Sequence, residues 1–297
     1  MKVGFSFPYR YLSGTPESQD EHILVETFGP PATCLELLRR RGVASIELGR
    51  INTEADPGEI RQAGARVFDA GLGLTLHGYL PDLTVEGGFT ALFPPLAALA
   101  GLLGQKQARA LMVLHSYRGT AEDDPAVFKE RNISFLRRLT SALAQERINL
   151  RVAVEVTRNQ GRVDPSTSYE DLLEVRERVG WEDLGFCWDV GHTQWNVDRG
   201  KLSPQAPPEF VRNIIHTHLH DLAADGQTHW PLTERRLPLG TYLSALKAVD
   251  YQGVYNIEFY PSRWAAVRDV KDSYLASLEI VKALAGEGRK RPVLDAG

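Results

Sequence analysis

Short apolar segments rich in β-branched and aromatic residues recur along the whole chain and predict strands. Eight such segments are found, at 2–8, 44–49, 72–79, 110–117, 151–157, 184–192, 214–222 and 253–261. Amphipathic patterns between them predict helices at 31–41, 57–70, 125–147, 169–179, 240–249 and 270–285. Ser168 is a suitable N-cap for the helix at 169–179, and Gly180 is a suitable stop. The chain is therefore expected to alternate strands with helices.

This alternation determines the expected topology. Strands joined through helices run parallel, with right-handed crossovers. Eight strand–helix units within 297 residues, without a linker or a change in composition, favour a closed barrel over an open sheet. We predict an α/β fold, a (β/α)8 TIM barrel that forms a single domain over residues 1–297, with 286–297 as an exposed C-terminal tail.

Polar residues occupy one of the two alternating faces of the predicted strands. Alternate strand residues point into a barrel, and the others pack against its helices. Apolar residues dominate one alternation class, so we assign the other class to the barrel interior. That class contains Thr75, His77, Val113, His115, Ala153, Glu155, Cys187, Asp189, His216, His218, Asn256 and Glu258. Its ionisable members lie near the C-terminal ends of their strands, where barrel enzymes build their active sites.

Carboxylates and imidazoles that converge inside a barrel are costly to bury without partners. A divalent cation removes that cost, and the strongest candidate ligands are Glu155, Asp189, His218 and Glu258 on strands five to eight. This oxygen-rich set suits Mn²⁺, Mg²⁺, Zn²⁺, Co²⁺ or Fe²⁺. We expect one such ion and allow for a second. The alternative is that each residue is a polar core residue with its own hydrogen-bond partner.

Composition and charge narrow the classes of partner. With 34 basic and 38 acidic residues the net charge is −4, which provides no overall attraction to nucleic acid or to anionic membranes. The longest uncharged apolar stretch, roughly 89–104, is too short for a membrane span and is interrupted by Pro94 and Pro95. Two cysteines cannot form a disulfide framework, and the N-terminus runs directly into a strand without a signal-peptide pattern. A cytoplasmic protein is therefore expected.

Four short motifs on successive predicted strands carry a family resemblance. They are Val154-Glu155-Val156-Thr157 with Gln160-Gly161, Trp188-Asp189-Val190-Gly191-His192, His216-Thr217-His218-Leu219-His220-Asp221, and Ile257-Glu258. On these motifs the chain resembles the xylose-isomerase-like barrels, a superfamily that includes sugar isomerases and epimerases, inosose dehydratase and endonuclease IV. The resemblance implies a metal held by Glu155, Asp189, His218 and Glu258, with Glu155 and Glu258 also moving the substrate proton.

Two histidines on the third and fourth strands leave the branch of the superfamily open. His77 and His115 match the pair that holds a second zinc in endonuclease IV, although sugar-acting relatives also carry histidines on these strands. They are candidates for a second metal or for substrate binding. His192 follows Asp189 in the next loop. The resemblance implies that it binds a substrate oxygen, as in epimerases, or a further zinc, as in endonuclease IV.

The stretch after the fifth strand also looks like endonuclease IV. The run 155–161 is similar to that enzyme's Glu-Asn-Thr-Ala-Gly-Gln-Gly, but Val156, Arg158 and Asn159 depart from it. This likeness does not decide between the two branches.

The loop after the seventh strand allows two alignments with the superfamily. One places Arg236 where epimerases have a substrate-binding arginine, which can fork to a carboxylate, a phosphate or sugar oxygens, although a role as a rim arginine is equally open. The other places His229 as a ligand but leaves Gln227 where endonuclease IV has an aspartate. Neither alignment restores both endonuclease ligands. Glu47 on the second strand faces inward, toward a substrate hydroxyl or into a buried salt bridge.

These features predict a divalent-metal-dependent isomerase or epimerase. Its expected substrate is a small sugar-like molecule, a ketose, polyol or inosose, that loses a proton next to a metal-bound carbonyl. The alternative is an endonuclease-IV-like phosphodiesterase that acts on abasic DNA through His77, His115 and Glu155. A third hypothesis is a barrel that binds a metabolite without converting it. Many relatives pair, so the resemblance also allows a homodimer.

Overall fold

The computed structural model describes residues 1–52, 54–78, 94–105 and 109–286, and within them eight parallel strands close into a barrel. These strands are Lys2–Pro8 (β1), Ser45–Ile51 (β2), Gly73–Gly78 (β3), Ala110–Leu114 (β4), Leu150–Glu155 (β5), Leu184–Asp189 (β6), Ile214–Leu219 (β7) and Val254–Glu258 (β10). Around the barrel their order is β1-β10-β7-β6-β5-β4-β3-β2. The predicted (β/α)8 barrel is confirmed.

Helices surround the barrel and connect its strands. In the described ranges they are Tyr9–Ser13 (α1), Gln19–Phe28 (α2), Pro31–Arg40 (α3), Pro57–Asp69 (α4), Pro94–Gln105 (α5), Pro125–Gln145 (α6), Tyr169–Val179 (α7), Val190–Val197 (α8), Pro208–Arg212 (α9), Leu239–Ala248 (α10) and Val270–Gly286 (α11). Short 3-10 turns lie at Pro165–Thr167, Leu232–Glu234 and Pro261–Arg263. The predicted helices are all present, and their ends agree with the prediction to within two residues.

Polar caps explain where helices begin. The Ser168 hydroxyl accepts a hydrogen bond from the backbone N–H of Asp171 at the start of α7, and Gly180 ends that helix with a φ of 69°. Asp56 caps α4 ahead of Pro57, whose fixed φ suits the first helical turn. Local sequence therefore sets these boundaries.

Side chains alternate between two faces of the barrel strands, as predicted. On the outer face Phe7 of β1 stacks on Tyr274 of α11, with ring centroids 5.7 Å apart. A separate cluster of small and medium side chains fills part of the interior: Leu111, Val113, Ala153 and Cys187. Glu155 and Asp189 lie two residues after two members of this cluster, at the C-terminal ends of their strands. The interior therefore changes from apolar to ionisable toward that end.

Four predicted strands end three residues earlier than expected, those over 110–117, 184–192, 214–222 and 253–261, and the one over 151–157 ends two residues earlier. The strand predicted over 184–192 ends at Asp189, because the Asp189 carboxylate accepts the backbone N–H of His192 and starts α8. His192 therefore lies in the first turn of a helix, and its placement in a loop was wrong. The strand predicted over 214–222 ends at Leu219. The next residues form a separate antiparallel pair, Asp221–Leu222 (β8) with Thr228–Trp230 (β9).

The C-terminal helix ends at Gly286, where the exposed tail was predicted to begin. Residues 287–297 lie outside the described residues, so the tail and the single-domain organisation stay predictions. The apolar stretch near 89–104 contributes α5 from Pro94 onward, and 89–93 also lie outside the described residues. No helix in the described ranges is long and apolar enough to cross a membrane.

Candidate functional site

A cavity of about 420 Å³ opens at the C-terminal ends of the barrel strands. It is lined by His77, His115, Ser116, Tyr117, Arg118, Glu155, Arg158, Gln160, His192, His229, Glu258, Tyr260 and Arg263. A volume of this size accommodates one small molecule. The lining is mostly polar or charged, which suits a hydroxylated or charged ligand better than an apolar one.

The four predicted metal ligands lie close together, and of these Glu155 and Glu258 line the cavity, whereas Asp189 and His218 are buried next to them. Glu155 and Asp189 end β5 and β6, and Asp189 is the direct strand neighbour of His218 on β7. One ligand atom from each of these three residues lies within 4.8 Å of the other two. Glu258, which ends β10, joins them through His218, because its Oε2 lies 3.3 Å from Nδ1 of that ring. All four residues are buried.

Several atoms of this group lack hydrogen-bond partners. Within the described residues, Oε1 of Glu155, Oε2 of Glu258 and Nδ1 of His218 are buried without one, as are both ring nitrogens of the neighbouring His192. Nδ1 of His218 is nevertheless only 3.4 Å from Oε2 of Glu155 and 3.3 Å from Oε2 of Glu258. These atoms lie close together, but no hydrogen bond between them satisfies Nδ1 of His218 or Oε2 of Glu258. Because buried polar atoms seldom stay unpartnered, the group fits a divalent cation.

The electrostatics of the group agree with this fit. Burial alone would raise the pKa of Glu155, but the charges of His115, His218 and His77 hold that pKa well below its usual value. Burial alone would lower the pKa of His77, yet the charge of Glu155 raises that pKa well above its usual value. The buried carboxylates are therefore ionised and attract positive charge, which protonated histidines or a divalent cation can supply.

Among the described residues, a second group of possible ligands consists of His77, His115 and Glu155. Nε2 of His77, Nε2 of His115 and Oε2 of Glu155 form a triangle with sides of 3.1 Å. Two ligand atoms that each lie about 2.1 Å from the same ion are about 3.0 Å from each other when they form a right angle at the ion. In tetrahedral coordination the same two atoms are about 3.4 Å apart. The two histidines predicted for a second metal or for substrate therefore form a triangle with the dimensions of a metal site.

A third group, which the sequence did not predict as a set, is Asp189, His192, His220 and His229. Nδ1 of His192 lies 3.0 Å from Oδ2 of Asp189, and Nε2 of His220 lies 3.0 Å from Oδ1. The rings of His220 and His229 stack with centroids 4.2 Å apart. His220 continues the inward alternation of His218 past the end of β7, and that signal identifies it in the sequence.

Gly191 leaves the space that His220 occupies. A Cβ on Gly191 would collide with the imidazole of His220. That ring is fully buried, and its Nδ1 accepts a hydrogen bond of 3.0 Å from the backbone N–H of His229. The ring therefore has little freedom to move, and the first turn of α8 requires glycine at this position.

The loop after β7 is organised by Asp221. Its Oδ1 accepts hydrogen bonds from the backbone N–H groups of Leu222 (2.8 Å) and Leu237 (2.9 Å), and its Oδ2 accepts one from that of Arg236 (3.1 Å). The side chain of Arg236 is exposed and does not line the cavity, whereas His229 does. Arg236 therefore lies outside the cavity lining, with its backbone bound to Asp221, and its role in substrate binding stays a prediction. Of the two alignments of this loop, only the one based on His229 selects a residue that lines the cavity.

Glu47 does not line the cavity, and with His77 and His218 it forms a further group of possible ligands among the described residues. Its Oε2 lies 3.0 Å from Nε2 of His216 and 3.2 Å from Nε2 of His218, and its Oε1 accepts a hydrogen bond of 3.1 Å from Nδ2 of Asn256. Glu47 is fully buried. Of the two roles considered for Glu47, the structure therefore favours the buried salt bridge. Glu47 also holds the ring of His218 so that Nδ1 of that ring lies toward Glu155 and Glu258.

Three arginines of the described chain line the cavity without having been selected from the sequence. They are Arg118, Arg158 and Arg263. They come from the ends of three different strands that are distant in sequence, so no local motif groups them. The one available signal was that Arg158 departs from the endonuclease IV motif.

Comparisons with known proteins agree with this architecture. The family model described as xylose isomerase-like TIM barrel matches residues 35–284. A D-tagatose 3-epimerase-like protein superposes with a TM-score of 0.63 at 18% identity, covering 97% of this chain and 99% of that chain. The 3-keto-D-glucoside 4-epimerase of E. coli has a TM-score of 0.62 at 16% identity, covering 96% and 99%.

A third similar structure contains a metal. It is the IOLI protein with a zinc atom, which has a TM-score of 0.60 at 14% identity and covers 97% of this chain and 99% of that chain. No curated protein sequence matches significantly. At these identities the solved structures show a shared fold.

Proposed function

This chain belongs to the xylose isomerase-like TIM barrel family, and we propose that it is a divalent-metal-dependent isomerase or epimerase. On this proposal its substrate is a small ketose, polyol or inosose that loses a proton next to a carbonyl. The observation that carries the proposal is the approach of Glu155 and Glu258 to the same ring nitrogen of His218, at 3.4 and 3.3 Å.

The residues that would hold the ion are Glu155, Asp189, His218 and Glu258. When bound, the ion acts as a Lewis acid that polarises a sugar carbonyl and so acidifies the neighbouring C–H bond. Oε1 of Glu155 and Oε2 of Glu258 are the buried, unpartnered oxygens of the two glutamates among the described residues. They are available to a ligand that enters the cavity.

The two glutamates are suited to accept a proton from carbon and return it. Burial alone would raise the pKa of Glu258, but the charge of His218 and the nearby imidazoles of His229 and His77 hold that pKa well below its usual value. Glu155 is ionised for a similar reason, so either carboxylate can accept the proton at neutral pH. Return of a proton to the same carbon from the opposite face inverts that centre. Return of the proton to the neighbouring carbon, together with transfer of the hydroxyl proton to the former carbonyl oxygen, isomerises the sugar.

The similar structures support the same reaction class. One of them is a sugar epimerase by name and another is named a D-tagatose 3-epimerase-like protein. A further one, D-psicose 3-epimerase, was crystallised in the presence of D-fructose. The IOLI protein supports a divalent ion in a barrel of this kind. Their identities of 14–18% support a class of reaction and leave the particular sugar open.

The test is incorporation of solvent deuterium. Protein loaded with Mn²⁺ is incubated in D2O with a panel of ketoses, ketose phosphates and inososes, and NMR follows the C–H signal next to the carbonyl. We expect exchange with at least one member, loss of exchange after chelation, and recovery when the ion is restored. Absence of exchange across the panel from folded, metal-loaded protein contradicts the proposal.

A second candidate function is hydrolysis of a phosphodiester in abasic DNA. The observation that favours it is the presence, among the described residues, of ligand groups beyond the first one, at His77–His115–Glu155 and at Asp189–His192–His220–His229. Two or three ions can hold both the attacking and the leaving oxygen of a phosphate ester. Metal-dependent cleavage of a duplex with one abasic site, but not of the intact duplex, would establish this function. A barrel that binds sugars with neither activity would support the third hypothesis.

A further inference from the structure

The arginines that line the cavity differ in their partners. Nε of Arg118 donates a hydrogen bond of 2.9 Å to Oδ2 of Asp164. Nη1 of Arg263 donates one of 2.8 Å to the backbone oxygen of Thr228. Arg158, in contrast, has neither a hydrogen bond nor an ion pair with any residue that the structure describes.

Arg158 is not a solvated surface arginine. It is partly buried, and it lies three residues after Glu155 on the loop that leaves β5 at the cavity. Burial lowers the pKa of Arg158, and the nearby charges of Arg263 and Arg118 lower it further. A guanidinium stays charged at neutral pH even so. Among the residues that the structure describes, no hydrogen bond or ion pair offsets this positive charge, which faces the cavity.

The carboxylates of the site do not neutralise this charge. Asp189 attracts the guanidinium but lies 3.0 Å from His192 and 3.0 Å from His220. A divalent cation bound to these carboxylates would also offset their negative charge. With the ion in place, the cavity therefore becomes more positive around Arg158, and an acidic ligand is the natural counter-charge.

We propose that the substrate carries an anionic group, a carboxylate or a phosphate, and that Arg158 binds this group in the cavity. The planar fork of a guanidinium matches two oxygens of either group. Arg118 and Arg263, which Asp164 and Thr228 already hold in place, line the same cavity and add positive charge. This inference rests on the proposed function, because it takes a sugar-like substrate as the occupant of the cavity.

The test measures binding without turnover. Isothermal titration calorimetry compares three ketoses with the same carbon skeleton on the Mn²⁺-loaded protein: D-fructose, D-fructose 6-phosphate and D-fructuronate. We expect the phosphate or the carboxylate to bind about tenfold or more tightly than the neutral sugar, as a charge-assisted hydrogen bond provides. The anion that is preferred identifies which of the two groups the substrate carries.

Substitution of Arg158 assigns the preference to this residue. In Arg158→Gln the anionic and neutral sugars should bind within about threefold of each other, and Arg158→Lys should retain an intermediate preference because it keeps the charge but loses the fork. Arg61→Gln is the matched control, because Arg61 is an exposed arginine on α4 and its substitution changes the net charge equally. That control should keep the full preference.

Three results would overturn the inference. One is equal binding of all three sugars by the wild-type protein. Another is an anion preference that persists in Arg158→Gln, which would mean that the phosphate or carboxylate binds the metal. The third is Arg158-dependent binding of abasic DNA with no preference among the sugars, which would assign the arginine to nucleic acid. If the protein shows no deuterium exchange but still binds an anionic sugar more tightly than the neutral one, the result contradicts only the proposed function.

Discussion

Glu155 and Glu258 each place a carboxylate oxygen beside the same atom, Nδ1 of His218, at 3.4 and 3.3 Å. The two glutamates end β5 and β10, and β6 and β7 separate these strands in the barrel. They therefore reach the centre of the site from different directions. This arrangement suits the transfer of a proton between two positions of a substrate held between them.

Glu258→Gln should remove turnover while leaving much of the metal bound. The amide keeps the shape of the side chain but cannot accept the proton, so deuterium exchange should fall by about 10²-fold or more. Exchange is measured by NMR, and metal content by elemental analysis of the same sample. Glu279→Gln, an exposed glutamate on α11, is the control. Full exchange activity in Glu258→Gln contradicts the role assigned to Glu258.

Glu47→Gln should weaken metal binding without removing any of the four proposed ligands. Glu47 holds the ring of His218 through Nε2, and loss of such a supporting partner typically costs about 10–100-fold in metal affinity. Competition with a fluorescent chelator measures the affinity. Glu209→Gln, an exposed glutamate on α9, is the matched control. An unchanged affinity in Glu47→Gln would show that His218 is oriented by other contacts.

Gly191→Ala should disturb the group that contains His220. The new Cβ collides with the buried imidazole of His220, and overpacking of this kind costs about 1–3 kcal/mol. Urea unfolding measures the change in the free energy of unfolding. Gly101→Ala in α5 is the control, because a Cβ there meets open space and alanine favours a helix by about 0.5–1 kcal/mol. Equal stability changes in the two variants would contradict the close fit at Gly191.

Both cysteines should resist thiol reagents in the native protein. Cys34 and Cys187 are fully buried, and burial raises the pKa of the Cys34 thiol to about 12. At pH 8 the thiols are therefore protonated as well as inaccessible, and only the thiolate reacts. Titration with Ellman's reagent should give no fast reaction in buffer and two thiols per chain in guanidinium chloride. Rapid labelling of the native protein would show that the barrel opens readily.

The sequence predicted the barrel and its first ligand group for one physical reason. The period of two along a strand separates inward from outward residues, so Glu155, Asp189, His218 and Glu258 could be assigned to one interior without knowing any long-range contact. Parallel strands then bring their C-terminal ends together. The structure places these four side chains together as that argument requires.

The rest of the site depends on backbone geometry beyond the strands. His192 moves from a predicted loop into a helix because Asp189 both ends β6 and caps α8. Arg236 is exposed and does not line the cavity, in a loop whose backbone N–H groups are bound by Asp221. The position of Arg158 relative to the other arginines follows from three separate loops, and no periodicity along the chain describes such a relationship.

The central claim is tested most directly by counting the ions that the activity requires. Metal-free protein is titrated with Mn²⁺, and deuterium exchange is measured together with the metal bound per chain. The account predicts no exchange without the ion and a rate that rises to its maximum at one ion per chain, held by Glu155, Asp189, His218 and Glu258. Exchange by the metal-free protein would contradict it, as would cleavage of abasic DNA that appears only after two or three ions are bound.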